Sequence, residues 1–430
     1  MNKKIYYSVL TAICLSCLPS VGMANPNHIL KSVKTAAKAA KSARSAISNV
    51  AQNVAKTAGP QHPLVPKVPK DFPRPEILPY EFQARATGAE ITNCYSGVFF
   101  QTEYNGKPFL GAVLAAHAFD ETLAARDGSS PTLQRDFTID TYINGEFVSI
   151  PAHAEEIASM SMGDIVLASI PEEYMDKVQY APLDREPIEE GDSLTSFGFS
   201  SQIPRCVEDR VVTSQTPFCL RTTISLPRYE RGGTCGTAVG RTKILSSENM
   251  EKDGIETPTD DAQPKTQFYI SGIHTGSSPA KGKLQDMGNS SNNEANDIGH
   301  ATKAFMIDLL VEAFFNDGNV TVPLELGNVK IFDMRLDEYI SYIKLFDETG
   351  KQIWQRNFEY KFAYDQVNNM IRTLSPRYLE MTVRRIGWTE NGHLHELRKR
   401  QDPTRYTVRY DFQKNELSVS VPKSHNRKNP

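Results

Sequence analysis

The 430-residue chain holds only six cysteines and two tryptophans, and its formal net charge is just −3. Each scarcity excludes something. Without a global excess of Lys and Arg, no nucleic-acid partner is expected. After the first 24 residues no apolar run is long enough to span a bilayer. Cysteine and histidine form no group with metal-ligand spacing. The one close pair, His393 and His395, sits beside a turn with no Cys or third His nearby and reads as a solvated strand end. Neither a metal nor a cofactor is expected. Acidic residues are missing between Asn25 and Lys70, and no internal repeat stands out.

The N-terminal part reads as three segments. Residues 1–24 carry Lys3 and Lys4, an apolar core from Ile5 to Leu18, and the small-residue site Gly22-Met23-Ala24. This is the pattern of a secretory signal peptide and predicts export to the periplasm or beyond. A lipoprotein reading of Cys17 competes, although Cys14-Leu15-Ser16 is a poor approach to a lipidated Cys. Residues 25–59 are basic and Ala-rich. Leu30, Val33, Ala37, Ala40, Ile47, Val50 and Val54 recur near helical spacing among Lys31, Lys34, Lys38, Lys41, Arg44 and Lys56. The segment reads as a pro-segment, a solvated spacer, or a helix over 29–58 in peripheral contact with an anionic membrane. Its mostly alanine face weakens the last reading. In residues 60–79, Pro60, Pro63, Pro66 and Pro69 fall every third residue, the period of polyproline II. That predicts a semi-rigid spacer, with docking onto a partner's aromatic groove as the alternative.

From Tyr80 the chain reads as mainly β. Strand patterns appear at Ala89–Ile91, Gly97–Gln101, Phe109–Leu114, Phe137–Ile143, Ile165–Ala168, Leu194–Phe199, Arg210–Ser214, Leu220–Ser225, Thr237–Val239 and Phe268–Ile273. Many short strands with polar turns predict a double antiparallel β-barrel over residues 80–318. The apolar spacing over 298–316 predicts a closing helix. Residues 319–430 read as a smaller antiparallel β domain, with turns at Asp347–Lys351 and Glu390–Gly392 and a strand pair at Tyr406–Phe412 and Leu417–Val421.

The chemistry concentrates in three short stretches. Gly233-Thr234-Cys235-Gly236 is a turn in which Gly233 lets its own N–H and that of Cys235 point into one cavity, while Gly236 leaves the sulfur's far side open. Val113-Leu114-Ala115-Ala116-His117 reads as a buried strand ending in a small-residue turn that carries a His. Asp164 stands at the mouth of the buried strand Ile165–Ala168. Asp120, Asp140 and Glu156 are alternative acids. His, Asp and nucleophile in that order match the chymotrypsin-like proteases.

His117, Asp164 and Cys235 therefore resemble the triad of a chymotrypsin-fold peptidase with cysteine in place of serine, as in picornaviral main proteases. Gly272-Ile273-His274-Thr275-Gly276 resembles the segment with which those enzymes and bacterial glutamyl endopeptidases line the pocket for the residue before the cut. The resemblance implies a cysteine endopeptidase acting on protein or peptide substrates after Glu or Gln. It implies an oxyanion hole from the Gly233 and Cys235 N–H groups, and substrate contacts from His274, Thr275 and Gly276. Two departures stand out. Thr234 occupies the position where trypsin-like zymogens keep an Asp for an N-terminal amine, so no such latch can form. Cys-Gly-Thr replaces the viral Cys-Gly-Gly. A protease-like binding or adhesion protein, acting through its C-terminal β domain, is the rival reading. In an exported chain Cys206 and Cys219, flanking a stretch with hairpin-like alternation, are candidates for a disulfide, against two unpaired cysteines in apolar surroundings. Cys94 reads as a buried thiol on the first barrel strand.

Overall fold

The computed structural model describes residues 80–88, 95–119, 133–198, 206–224, 234–244, 266–278, 297–358, 364–388, 392, 394–396 and 405–421. The signal peptide, basic segment, Pro-rich linker, Cys94, Asp120, Gly233, His393 and the strand expected at Ala89–Ile91 lie outside them. Among the described residues, no helix is long and apolar enough to cross a membrane.

Six strands form a first barrel: β1 (Glu81–Ala86), β2 (Tyr95–Tyr104), β3 (Lys107–Ala115), β4 (Asp136–Ile143), β5 (Glu146–Ala158) and β6 (Ile165–Ser169). The order β1-β4-β5-β6-β3-β2 closes through a β1–β2 pairing, all antiparallel. Two hairpins are set by Asn-Gly pairs, Asn105-Gly106 and Asn144-Gly145, with φ of 51°, 72°, 51° and 83°. Both residues of such a turn need positive φ, and its twist matches that of the flanking strands. Phe82, Phe99, Leu114, Ile139, Ile150 and Val166 fill the interior with no measurable exposure.

A short helix α1 (Glu172–Met175) and β7 (Ala181–Pro182), parallel to β2, lead to a second barrel. Its strands are β8 (Ser193–Gly198), β9 (Cys206–Gln215), β10 (Cys219–Ile224), β11 (Ala238–Ile244), β12 (Thr266–Ser278) and β13 (Asp297–Lys303), closed in the order β10-β13-β12-β11-β8-β9. The protein has the chymotrypsin-like double barrel. Among the described residues, one apolar cluster of this barrel is made by Leu194, Val212, Leu220, Val239 and Ala301. The charged Arg210 and the polar His274, each 1 % exposed, are buried in the same barrel.

Two expectations are corrected here. The helix predicted over 298–316 is half strand: β13 ends at Lys303 and helix α2 spans only Phe305–Phe315. Gly299, Ala301 and Thr302 are buried staves of the barrel, and a Cβ on Gly299 would stand 2.9 Å from Thr222 Oγ1. A small residue there permits close strand packing, which helical spacing in the sequence masks. The Cys206–Cys219 disulfide is excluded by register. Cys206 opens β9 opposite Gly198, whereas Cys219 precedes Leu220, which faces Gln215 at the other end of β9. Nine strand steps separate them by on the order of 30 Å, against a bridging limit of about 7 Å between Cα atoms.

After α2 come β14 (Thr321–Leu326), β15 (Val329–Arg335), β16 (Glu338–Phe346), β17 (Gln352–Asn357), helix α3 (Tyr364–Leu374), β18 (Tyr378–Trp388), β19 (Leu394–Glu396), β20 (Arg405–Asp411) and β21 (Glu416–Ser420). β14 and β15 form a hairpin. The others form a sheet in the order β17-β16-β18-β20-β21, with β19 on β18. Residues Phe72–Pro430 form one compact unit, and buried side chains of this sheet, such as Ile340, Met381 and Val383, join the core of the first barrel.

Candidate active site

The site lies where loops of the two barrels meet. β3 runs out through buried Val113, Leu114 and Ala115 into a 3-10 turn, Ala116–Phe119, which carries His117. β6 pairs with β3 so that Ile165 faces Ala115, which puts Asp164 directly beside that turn. The Asp164 carbonyl accepts the Ala116 N–H at 2.9 Å. Its carboxylate accepts the His117 N–H on Oδ1 at 2.9 Å and contacts His117 Nδ1 through Oδ2 at 2.8 Å. Both carboxylate oxygens thus fix one imidazole, in backbone position and in ring plane. Asp164 has φ +62° and Gly163 before it +141°, so this loop adopts a conformation that L-residues rarely take.

Cys235 is brought to the ring by the second barrel. Its carbonyl accepts the Ser96 N–H of β2 at 3.1 Å, which ties the nucleophile's turn to the opposite barrel. Gly236 donates its N–H to the His274 carbonyl at 2.7 Å and has φ +100°. A Cβ on Gly236 would lie 1.8 Å from Ser96 O, which is backbone and cannot yield. Gly236→Ala is therefore expected to part the two barrels at this junction. Stability should fall by about 2–4 kcal/mol, read as a lowered urea midpoint, and Cys235 alkylation should slow at least tenfold. An unchanged midpoint would show that the turn can relax.

The Cys235 sulfur lies close enough to the His117 imidazole to act on its charge. Burial opposes the charged form of that ring, but the Asp164 and Cys235 charges and hydrogen bonds to both raise its pKa well above 6.5. The arrangement favours the protonated form of the ring. Tyr95 closes one side, its ring edge-on to His117 at 6.3 Å between centroids.

The structure thus brings together His117, Asp164 and Cys235. Two of the alternative acids, Asp140 and Glu156, lie elsewhere, and Asp120 is outside the described residues. Asp140 pairs with Arg85 and accepts from Ser149, and Glu156 lies beside Gly318. His274 and Thr275 sit on β12, 1 % and 3 % exposed, at a bulge before Gly276, whose φ is +139°. The His274 N–H bonds to the Thr237 carbonyl at 2.8 Å, so this strand follows the nucleophile's turn closely.

Beneath His274 lies a group that sequence reading missed. Arg210 Nη1 is 3.1 Å from His274 Nδ1, and Arg210 Nη2 is 2.9 Å from Glu208 Oε2, all three residues being almost fully buried. A guanidinium only donates. His274 Nδ1 must therefore accept, and the ring proton sits on Nε2. The sequence Val207-Glu208-Asp209-Arg210-Val211-Val212 carries an inward alternation, but Val211 and Val212 compete for the core face, so the register could not be read from it. Among the described residues no group of His, Cys, Asp or Glu is placed to hold a metal.

No family model matches the chain, and no curated protein matches it. Solved structures do resemble it distantly. The serine endoprotease from Yersinia pestis is 12% identical over 74% of this chain and 94% of its own, with a TM-score of 0.35. The MamO protease domain from Magnetospirillum magneticum is 12% identical over 54% of this chain and 94% of its own, at 0.31. The serine protease domain of the Sesbania mosaic virus polyprotein is 15% identical over 53% of this chain and 90% of its own, at 0.29. These likenesses are too distant to assign an activity. The double barrel stands on its own strand pairings.

Proposed function

We propose that the chain is an exported cysteine endopeptidase that cuts peptide bonds after Glu or Gln. One observation carries the reading: a single imidazole lies between a buried carboxylate and a cysteine sulfur at the junction of two barrels. The Cys235 thiolate attacks the scissile carbonyl and forms a C–S bond. The His117 imidazolium gives its proton to the leaving nitrogen as the C–N bond breaks. His117 then takes a proton from water, which attacks the thioester and releases the acid and the thiolate. The N–H groups of Gly233 and Cys235 are the assigned oxyanion donors. Asp164 fixes the ring.

Specificity is assigned to His274, with Thr275 and Gly276 as neighbouring pocket residues. With its proton on Nε2, His274 is a donor matched to a carboxylate or carboxamide oxygen. Export rests on the pattern of residues 1–24, and peripheral membrane contact on that of 29–58. A cleavage-site profile on a peptide library tests the reading. Cuts should follow Glu or Gln, and His274→Ala should lower kcat/KM on them by roughly tenfold to a hundredfold, while Cys235 keeps reacting with small alkylating agents. Cuts after Lys, Arg or aromatic residues that His274→Ala leaves unchanged would refute the pocket assignment.

A further inference from the structure

The C-terminal sheet touches both loops that carry the His117–Asp164 pair. The Asp164 loop starts at Ser159, whose carbonyl accepts the N–H groups of Met162 at 2.9 Å and Asp164 at 2.8 Å. Ser159 in turn donates its N–H to the Leu336 carbonyl at 2.8 Å and its hydroxyl to the Glu338 carbonyl. Ser161 accepts the Ile340 N–H at 3.1 Å. Both serines are buried, at 1 % and 6 % exposure, so the loop's two hydroxyls are committed to the first residues of β16. On the loop's other side Thr302 of β13 donates its hydroxyl to the Gly163 carbonyl. A left-handed Asp at φ +62° persists only when its surroundings over-determine it, and these contacts do so.

The His117 turn meets the same sheet. Phe119, fully buried two residues after His117, packs edge-on against Trp388 of β18 at 5.2 Å. Arg135 lies over that indole at 6.0 Å, and its N–H bonds to the Gly392 carbonyl at 2.7 Å. The two contacts belong to one body. β16 and β18 pair along their length, and the Ile386 N–H bonds to the Asp337 carbonyl at 2.9 Å.

We propose that the C-terminal sheet is a clamp for the catalytic pair, with Ser159, Ser161 and Trp388 as positioning residues that set the Asp164 loop against the His117 turn. The inference rests on the roles assigned above to His117 and Asp164. Its consequence is that the triad is incomplete without residues beyond the barrels. A clamp differs from a bare stabiliser in what it moves. Loosening it lengthens the Asp164–His117 contact, so turnover falls while substrate affinity stays, and the imidazole loses part of the charge partner that raises its pKa.

The test uses the full chain with Ser161→Ala, Trp388→Leu and Trp388→Phe. In folded protein, Ser161→Ala and Trp388→Leu should lower kcat about tenfold to a hundredfold, the scale of a displaced catalytic group, with KM within about twofold. Trp388→Phe keeps a ring against Phe119 and should recover most of the rate. The His117 titration, followed by its imidazole NMR signals, should shift down toward 6.5 in the first two variants. An unmoved titration and unchanged kcat, with only a lower melting temperature, would overturn the clamp. Should Trp388→Leu not fold, Ser161→Ala decides it by the same readouts. The titration needs no substrate, so a wild-type protein that cuts no peptide would refute the peptidase reading and leave the clamp separately decided.

Discussion

His117→Ala is expected to lower kcat/KM on Glu or Gln peptides by about 10³- to 10⁵-fold, and Cys235→Ala to abolish measurable cleavage. The two losses have different origins, and alkylation separates them. Cys235→Ala removes the atom that forms the thioester. In the proposed mechanism His117→Ala leaves the sulfur but takes away the cation that would pair with its thiolate, so alkylation at pH 6 should slow by roughly a hundredfold and recover toward pH 9, where a free thiol near pKa 8.5 ionises unaided. Asp164→Asn should cost less than His117→Ala, because a thiolate already formed needs orientation more than proton abstraction. The pH dependence has a definite sign. Burial works against the imidazolium, and the Asp164 and Cys235 charges outweigh it, so the His117 pKa is raised well above 6.5. In the proposed mechanism the proton given to the leaving amine is present below that raised value. The alkaline limb of kcat/KM should therefore lie well above pH 6.5, and Asp164→Asn should move it down. The same shift contributes folding stability that is complete below the unfolded imidazole value of about 6.5 and is lost as pH rises through the folded one. An alkylation profile that His117→Ala leaves unchanged would mean that the ring and the sulfur do not interact.

The three residues of this site were legible because each sits in a local pattern: a small-residue strand end, an acid at a strand mouth, a Gly-flanked cysteine. Their convergence comes from barrel closure, which the strand patterns only imply. Other features were hidden for physical reasons. β5 carries Pro151 and the acids Glu155 and Glu156, and its inward positions include small Ala152 and Ala154, so its alternation is faint. β1 has the same weakness, with Ala84 as one of its buried positions. α3 is polar, with only Tyr364, Val367 and Ile371 buried. The link from Ser159 and Ser161 to Glu338 and Ile340 spans 179 residues in each case. No local spacing encodes such a contact, and a serine in a loop looks the same whether it faces water or a carbonyl.

The buried Arg210 yields the other large effect. Arg210→Met should lower folding stability by about 3–5 kcal/mol, the range for removing one partner of a buried ion pair. The side chain is 1 % exposed and so is that of Glu208, so water cannot replace the lost guanidinium without opening the barrel. Most of that cost is the desolvated carboxylate, not the worth of the pair. The double variant Glu208→Leu with Arg210→Met should therefore recover most of the stability, since apolar side chains of similar volume often replace a buried pair without loss. Recovery of function is a separate matter. Without Arg210 donating to His274 Nδ1, nothing in the Arg210–Glu208 pair holds the ring proton on Nε2, and the two tautomers compete. Turnover after Glu or Gln should then stay about tenfold down in the refolded double variant, while Cys235 alkylation matches wild type. Stability with specificity fully restored would show that His274 owes its tautomer to other contacts. Stability restored without specificity would assign the charged pair to the pocket and give the buried arginine a function.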